Sequence, residues 1–262
     1  MGESWWNEEY GFFGPFYWEG DHSLHGYLSA RALTVPQRTG EEAHGVCRLL
    51  RLKEGCRVLD LPCGYGRHSI ALARMGMKVV GGDINRNFLS IAETDAGRCG
   101  VEVDFRFLDM RQIAYADEFD AVINMCYSFG FFESDDENLD VLRRFFRALR
   151  PGGRFVMHTD VNLLRVRAGT YKEDETRDLE SGSKLRVIDH YDPASKRMNG
   201  AWIITALDGS STRKDYSVRV YEKDEFIDMC REVGFRECIA YSTWDGDPWS
   251  EDAEEIMFVA TK

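Results

Sequence analysis

Short apolar runs alternate with amphipathic segments from about residue 56 to residue 159. The run CRVLDL (56–61) is typical of a buried strand, and RHSIALARMG (67–76) has apolar residues at helical spacing, with Gly76 placed to end a helix. The alternation continues through KVVGGD (78–83), NRNFLSIAETDAGRCG (85–100), VDFRFLD (103–109), EFDAVINMC (118–126), DENLDVLRRFFRALR (136–150) and RFVMHT (154–159). This order of strands and helices predicts a doubly wound, Rossmann-like α/β sheet.

The pattern changes after residue 159. Three strand-like stretches, 184–192, 198–208 and 214–222, are separated by turn-rich segments too short for crossover helices. We therefore expect an antiparallel insertion over about 165–222, then a helix over 223–235 and two closing strands, 237–244 and 254–262. The charged stretch YKEDETRDLE (171–180) is interpreted as a solvated loop or a mobile helix.

The first eighteen residues carry eight aromatic side chains. Trp6, Tyr10, Phe13 and Tyr17 share one helical face by spacing, although Gly14-Pro15 must break or kink that helix. We expect residues 1–34 to form an aromatic arm beside a main domain of residues 35–262. A lid over the site and an arm fixed on the core or across a dimer interface fit the pattern equally well, so the sequence leaves a homo-oligomer open.

Composition narrows the classes of ligand and location. The 262 residues carry a formal charge of −12, which disfavours a nucleic-acid partner. No apolar run approaches the roughly 20 residues of a membrane span and no secretory signal pattern is present, so we expect a cytoplasmic protein without membrane contact. Seven scattered cysteines without a CxxC pair indicate neither a disulfide framework nor a metal site. A small neutral or cationic ligand is favoured.

The candidate chemistry begins in DLPCGYGRHS, after the first strand. Gly64 and Gly66 allow the backbone to approach a ligand and turn into a helix, but Ser69 stands where a dinucleotide fingerprint has its third glycine. Asp60 would repel a pyrophosphate, yet it suits an ammonium group. Asp83, ending the second strand, has the spacing of an acid that binds ribose hydroxyls. The pattern favours a nucleoside ligand without a pyrophosphate, such as S-adenosylmethionine.

Taken in order, these motifs resemble the class I S-adenosylmethionine-dependent methyltransferases, particularly the bacterial small-molecule group. The similarity covers about residues 35–262 and includes GGDIN, LDM, INMCYSFGFF and LRPGGRFVM. It implies a seven-stranded sheet of order 3-2-1-4-5-7-6 with an antiparallel last strand. It also implies methyl transfer to an amine or hydroxyl of a small molecule by in-line displacement, with secondary metabolism as the setting by analogy.

The resemblance also implies contacts to the cofactor. Gly64 and Gly66 would approach its methionine part, Asp83 its ribose and Ile84 its adenine. The other implied contacts are Asp109 and the Met110 backbone with the adenine, the carbonyls of Asn124, Met125 and Cys126 with the ammonium group, and Arg38 and Thr39 with the carboxylate. Pro62 replaces a glycine that many relatives carry, so we expect a stiffer loop here.

Residues for the acceptor are expected in the arm, beside the fourth strand and in the insertion: Tyr17, Tyr127, Phe129, Arg219 and Tyr221. Methyl transfer mainly needs alignment and exclusion of water, and a base is optional. The candidate bases are His158 and Tyr10. Two other classes stay open, a non-catalytic S-adenosylmethionine-binding or scaffold protein and an NAD-dependent oxidoreductase, and the missing third glycine disfavours the latter.

Overall fold

The computed structural model describes residue 9 and residues 11–24 and 33–262. Within these ranges the chain folds into two sheets with helices around the larger one. The helices are α1 (Pro15–Asp21), α2 (Val35–Leu49), α3 (Arg67–Arg74), α4 (Arg86–Cys99), α5 (Asp135–Ala148), α6 (Leu163–Ala168) and α7 (Lys223–Val233). The strands are β1 (Arg57–Asp60), β2 (Lys78–Asp83), β3 (Asp104–Phe107), β4 (Phe119–Asn124), β5 (Leu149–Thr159), β6 (Asp174–Asp178), β7 (Lys184–Asp192), β8 (Arg197–Thr205), β9 (Ser211–Arg219), β10 (Glu237–Tyr241) and β11 (Ile256–Thr261).

The larger sheet has the order β3-β2-β1-β4-β5-β11-β10, which confirms the predicted topology. Strands β1 to β5 run parallel, while β11 pairs antiparallel with both β5 and β10. Residues on both faces of the central strands are buried, as crossover helices on both sides require. The carboxyl ends of β1, β2 and β4 therefore meet at one edge, where doubly wound sheets bind ligands.

The helices begin and end where local chemistry predicts. Asn85 caps α4, its side chain accepting the Phe88 backbone N–H at 2.9 Å, and Gly100 ends that helix in the left-handed region. Ser134 and Glu137 form a capping box at the start of α5. No helix in the described ranges is long and apolar enough to cross a membrane.

The insertion is an antiparallel sheet of order β6-β7-β8-β9. Its three predicted strands are confirmed, but the prediction for residues 171–180 is wrong, because Asp174–Asp178 forms edge strand β6. Ion pairs to β7 compensate the missing apolar pattern: Asp178 with Lys184 and Asp174 with Arg186, both at 2.6 Å. The charged stretch is therefore a strand held by pairing across the sheet.

Residues 11–24 of the arm contact both the loops of the large sheet and the inserted sheet. Gly14 precedes α1 and Pro15 opens it, so Phe13 and Tyr17 do not lie on one continuous helix. The Tyr17 ring stacks on Trp202 of β8 at 5.4 Å between centroids, and the Leu24 backbone N–H donates to Asp178 of β6. The arm thus contacts the insertion of its own chain. The sequence prediction for Trp6 and Tyr10 lies outside the described residues.

Candidate functional site

The loop after β1 opens a cavity at the strand ends. Gly64 has a φ of +55°, and a Cβ built on it would meet nothing within 4 Å, so its backbone borders open space. Gly66 has a φ of +83° and caps α3, where a Cβ would press on Ala92 and Phe105. The first glycine therefore leaves room for a ligand, and the second allows α3 to pack closely against its neighbours.

The carboxylate of Asp83 is fixed by backbone donors on both oxygens. Its Oδ2 accepts the Gly64 N–H at 2.8 Å, and its Oδ1 accepts the Asn85 N–H at 2.9 Å. A carboxylate offers about four lone-pair directions, so these two bonds leave acceptor capacity on each oxygen. Asp83 lines the cavity, and its orientation is set before any ligand arrives.

Asp109 also lines the cavity and is held by Arg111. The Arg111 guanidinium donates to both carboxylate oxygens, with Nη2 at 2.7 Å from Oδ2. Partial burial opposes ionisation, but these hydrogen bonds lower the pKa of Asp109 below its ordinary value. Asp109 therefore presents an ionised acceptor to the cavity at neutral pH.

We call this space the strand-end cavity. Its walls combine these acids with apolar side chains from four loops, and they include Leu61, Pro62, Cys63, Gly64, Tyr65, Arg67, Asp83, Ile84, Phe88, Leu108, Asp109, Met110, Met125, Cys126 and Phe132. Apolar walls with a few convergent polar groups are typical of a small-molecule site.

A buried charge cluster lies behind the Gly64 loop. Glu42 of α2 contacts the Arg67 guanidinium and accepts from His68 Nε2 at 2.8 Å. Burial opposes its ionisation, but Arg67 and His68 hold the pKa of Glu42 well below its ordinary range. Burial together with the neighbouring Arg67 lowers the pKa of His68 to about 4, so His68 is neutral at pH 7.

The same cluster has three groups of metal-ligand type. Ligand atoms of Glu42, His68 and Cys126 lie within 4.8 Å of one another. Arg67, however, contacts Glu42 through Nη1 and Cys126 Sγ through Nη2, the latter at 2.8 Å. A guanidinium cation among the ligand atoms already supplies the positive charge, so this arrangement is a buried ion-pair cluster rather than a metal centre.

A second cavity lies between the arm, β4 and the inserted sheet, and we call it the arm cavity. It shares five wall residues with the strand-end cavity: Phe13, Tyr17, Asp21, Cys126 and Phe131. Its remaining walls are rich in aromatic and charged side chains, namely Phe12, Arg38, Tyr127, Asp160, Arg165, Tyr171, Lys172, Glu175, Arg177, Val187, Asp189, Trp202, Tyr216 and Glu254. The two cavities thus adjoin across a common wall.

Asp189 is the centre of a polar cluster in the arm cavity. Its Oδ2 accepts the Tyr171 hydroxyl at 2.9 Å, and its Oδ1 accepts the Tyr216 hydroxyl. Gly200 lies between Asp189 and Tyr216 in the strand register, and a Cβ there would overlap both side chains. Glycine at this position permits the hydrogen bond across three strands.

The structure brings most predicted cofactor residues to the strand-end cavity. Gly64, Asp83, Ile84, Asp109, Met110, Met125 and Cys126 all line it. Gly66 and Asn124 are not wall residues, and the Asn124 amide donates to the Leu61 carbonyl at 3.0 Å.

Three other predicted contacts are directed elsewhere. The Asp60 side chain is fully buried and accepts from Ser69 at 2.6 Å, and burial raises the pKa of Asp60 to about 7. Arg38 pairs with Asp21 at 3.2 Å and lines the arm cavity instead. Thr39 donates to the Val35 carbonyl and accepts from Arg67. The sequence marks the right loops here but not the side-chain directions.

His158, a predicted candidate base, lies in the wall of neither cavity. Its side chain is fully buried on β5, and both ring nitrogens are engaged: Nδ1 accepts the Cys126 backbone N–H at 3.2 Å, and Nε2 lies 3.1 Å from Glu255. The His158 carbonyl also accepts the Tyr127 N–H. His158 therefore fixes the turn after β4, in which Cys126 and Tyr127 have positive φ values of 56° and 59°.

Three residues predicted for the acceptor also lie in the wall of neither cavity. The Phe129 ring packs on Tyr221 and Phe226 in the core, each at 5.6 Å. The Arg219 guanidinium is 3% exposed and pairs with Asp135 and Glu225, in the first turns of α5 and α7. Tyr221 donates to the same Asp135 at 3.3 Å. Acidic residues at the helix starts bind Arg219 and Tyr221 away from either cavity, and Phe129 packs in the core.

Tyr17 and Tyr127, also predicted for the acceptor, line the arm cavity, whereas Tyr10 lies outside the described residues. Sequence reasoning missed Asp21, Arg67, Asp160 and Asp189. The YKEDETRDLE stretch carried a signal for this wall, since Tyr171, Glu175 and Arg177 of that stretch line the cavity. The interpretation of this stretch as solvated left its contribution to the cavity unrecognised.

Comparisons with known proteins agree with this geometry. A family model described as a methyltransferase domain matches residues 58–153, which run from β1 into β5. The chain is 29% identical over 222 residues to the putative methyltransferase YqeM of Bacillus subtilis, covering 80% of this chain and 86% of that protein. It is 33% identical over 170 residues to a ubiquinone biosynthesis O-methyltransferase of Agrobacterium fabrum, covering 64% and 62% of the two chains.

Among solved structures, the CcbJ methyltransferase from Streptomyces caelestis superposes with a TM-score of 0.73 at 20% identity, over 87% of this chain and 96% of that one. This likeness concerns the fold. The strand order, the methyltransferase-domain match over residues 58–153 and the similar methyltransferase sequences agree with one another: the chain is similar, in fold and in sequence, to the class I S-adenosylmethionine-dependent methyltransferases.

Proposed function

We propose that this methyltransferase moves a methyl group from S-adenosylmethionine, held in the strand-end cavity, to an amine or hydroxyl of a small molecule in the arm cavity. The observation that carries this proposal is the common wall of the two cavities, to which Tyr17 of the arm and Cys126 after β4 both belong. In-line displacement requires donor and acceptor to meet across such a wall.

The strand-end cavity fits the cofactor. The remaining lone pairs of Asp83 would accept the two ribose hydroxyls, since Gly64 and Asn85 already fix both oxygens. The open space at Gly64 would admit the methionine part close to the backbone. Backbone carbonyls of Met125 and Cys126, which also line the cavity, would accept from the ammonium group.

The adenine end is apolar with one acceptor. Ile84 would pack on the ring, and Asp109, kept ionised by Arg111, would accept from the exocyclic amine. The Met110 backbone would face a ring nitrogen. For the carboxylate of the methionine part, Arg67 on the cavity wall is a better partner than Arg38 or Thr39, which face elsewhere.

When bound, S-adenosylmethionine supplies a methyl group on a positively charged sulfur. The chain would align the acceptor with the methyl group and exclude water, because displacement at a sulfonium needs no protein nucleophile. Phe13 and Tyr17 of the arm would cover the junction of the cavities, and Phe131 would close it from the β4 side. With His158 buried and engaged on both nitrogens, a histidine base has no place in this scheme.

Calorimetric titration with S-adenosylmethionine, S-adenosylhomocysteine and NAD tests the cofactor part. We expect both sulfur nucleosides to bind and NAD not to bind; binding of NAD alone would overturn the proposal. Release of S-adenosylhomocysteine on incubation with amine and hydroxyl compounds, followed by mass spectrometry, tests transfer. Cofactor binding with no release across a broad panel would favour a non-catalytic binding protein.

A further inference from the structure

The arm cavity carries more acid than base. Five carboxylates line it, Asp21, Asp160, Glu175, Asp189 and Glu254, against four cations, Arg38, Arg165, Lys172 and Arg177. The cations are matched with three of the acids: Arg38 with Asp21, Arg165 with Glu254, and Lys172 and Arg177 with Glu175. This matching leaves Asp160 and Asp189 without an ion-pair partner in the described part of the chain.

The two remaining acids differ in their surroundings. Asp189 is 6% exposed and accepts from two tyrosine hydroxyls, so its oxygens are directed into the wall. Asp160 follows β5, has no ion-pair partner among the described residues, and is hydrogen-bonded by its own backbone alone. Burial raises the pKa of Asp160 above its ordinary value, although the charges of His158 and Arg177 oppose this shift.

A second polar group near Asp160 also lacks a partner. The hydroxyl oxygen of Tyr127 is buried and, within the described ranges, makes no hydrogen bond. Tyr127 follows β4 in a left-handed conformation, and its side chain lines the arm cavity. A buried polar atom without a partner costs free energy, so this hydroxyl indicates a ligand that supplies the missing hydrogen bond.

We propose that the arm cavity binds an acceptor carrying a protonated primary or secondary amine, and that Asp160 and the Tyr127 hydroxyl hold its ammonium group. The inference rests on the proposed function and narrows its acceptor from amine or hydroxyl to amine. The faces of Trp202, Phe12 and Tyr216 suit the charge as well, because aromatic rings attract cations. A neutral alcohol would leave Asp160 without an ion-pair partner.

The reaction balances with one proton released. The bound ammonium gives a proton to the Asp160 carboxylate and from there to water, which frees the nitrogen lone pair. The nitrogen then attacks the methyl carbon, so the C–N bond forms as the C–S bond breaks and its electron pair stays on sulfur. The products are a methylated ammonium and neutral S-adenosylhomocysteine, and no oxidant or further reactant is needed.

Matched probe pairs test the assignment. Benzylamine and benzyl alcohol, and cyclohexylamine and cyclohexanol, are titrated into the protein saturated with S-adenosylhomocysteine. We expect each amine to bind at least about tenfold more tightly than its alcohol, which corresponds to about 1.4 kcal/mol. We expect that preference to vanish in Asp160→Asn and to persist in Glu93→Gln, a control that removes an exposed charge on α4.

Equal binding of amine and alcohol, a preference that survives Asp160→Asn, or no amine binding at millimolar concentration would each overturn the inference. The outcome is separable from the proposed function, because S-adenosylhomocysteine binding is measured first. Binding of that nucleoside together with methylation of an alcohol would retain the function and reject the amine. Tyr127→Phe adds a readout independent of folding: we expect the amine preference to fall while the melting temperature holds or rises, since an unpartnered hydroxyl is removed.

Discussion

The carboxylate of Asp83 accepts the backbone N–H of Gly64 at 2.8 Å, joining the end of β2 to the loop after β1. The bond fixes two elements of the strand-end cavity with one side chain. Replacing Asp83 by Asn keeps the shape but places an amide N–H₂ against either the Gly64 or the Asn85 donor. We expect a loss of about 10- to 100-fold in S-adenosylmethionine affinity, measured by calorimetry.

Asp104→Asn is the matched control for this change. Asp104 opens the neighbouring strand β3 and pairs with the exposed Arg106 outside the cavity. Its replacement should leave cofactor affinity unchanged. Unchanged affinity in Asp83→Asn, or an equal loss in both variants, would remove Asp83 from the cofactor site.

Gly200→Ala tests the polar cluster of the arm cavity. The added Cβ would overlap the Tyr216 ring and the Asp189 carboxylate, so the hydrogen bond across β7, β8 and β9 must break or the strands must move. Overpacking of this kind costs about 1 to 3 kcal/mol of unfolding free energy. We expect that loss in urea denaturation and a raised KM for the acceptor, with the S-adenosylmethionine Kd unchanged.

Gly97→Ala provides the comparison. Gly97 lies in α4 with nothing within 4 Å of an added Cβ, so alanine should stabilise the protein by about 0.5 to 1 kcal/mol and leave both ligands alone. If Gly200→Ala behaved like this control, the close packing of Asp189 and Tyr216 would be refuted.

Asp60 and His68 give opposite pH dependences of stability. The pKa of Asp60, raised to about 7 by burial, lies above its unfolded value. The contribution of Asp60 to the free energy of unfolding is therefore complete below about pH 3.8 and is lost as the pH rises through 7. The pKa of His68, lowered to about 4 by burial and Arg67, lies below its unfolded value of 6.5. Its contribution is therefore present above pH 6.5 and lost as pH falls through 4.

Asp60→Asn should consequently raise stability at pH 8, by something on the order of 2 to 4 kcal/mol, and change it little at pH 4. Urea denaturation at the two pH values measures the difference. S-adenosylmethionine affinity should stay within about twofold, because the Asp60 side chain is buried behind the cavity wall. A large loss of cofactor affinity would restore the sequence-based assignment of Asp60 to the cofactor.

The fold was predictable because its signals are local. Each strand of the large sheet is a short apolar run next to a helical pattern, and caps such as Asn85 and Gly100 mark their own ends. Strand β6 escaped this reasoning because all but one of its residues are charged and ion pairs across strands hold it. Periodicity of apolar residues cannot detect such a strand.

In the candidate site, too, residues placed by local spacing were predictable, and residues placed by contacts between separate elements were not. Asp83 was predictable from its distance along the chain to the glycine loop, since both follow parallel strands. The directions of Phe129 and Arg219 were not, because they depend on α5 and α7, whose acidic starts attract Arg219. The links from Arg67 to Glu42 and from Asp21 to Arg38 join separate elements, and no spacing rule predicts them.

Amide hydrogen exchange can distinguish a mobile lid from a fixed arm. The Tyr65 hydroxyl donates to Asp21 at 2.5 Å, linking the arm to the glycine loop that borders the strand-end cavity. If residues 11–24 act as a lid, their amides should exchange faster than those of β4, and S-adenosylhomocysteine should slow them. Tyr65→Phe should then speed amide exchange in the arm by about tenfold, the effect of losing a hydrogen bond to a charged group.

Tyr115→Phe is the control for this change. It removes a hydroxyl bonded to Arg106 and should leave amide exchange in the arm unchanged. Exchange of the arm at the rate of the core, unaffected by the nucleoside or by Tyr65→Phe, would mean that the arm is a permanent wall, and acceptors would then have to enter past the inserted sheet.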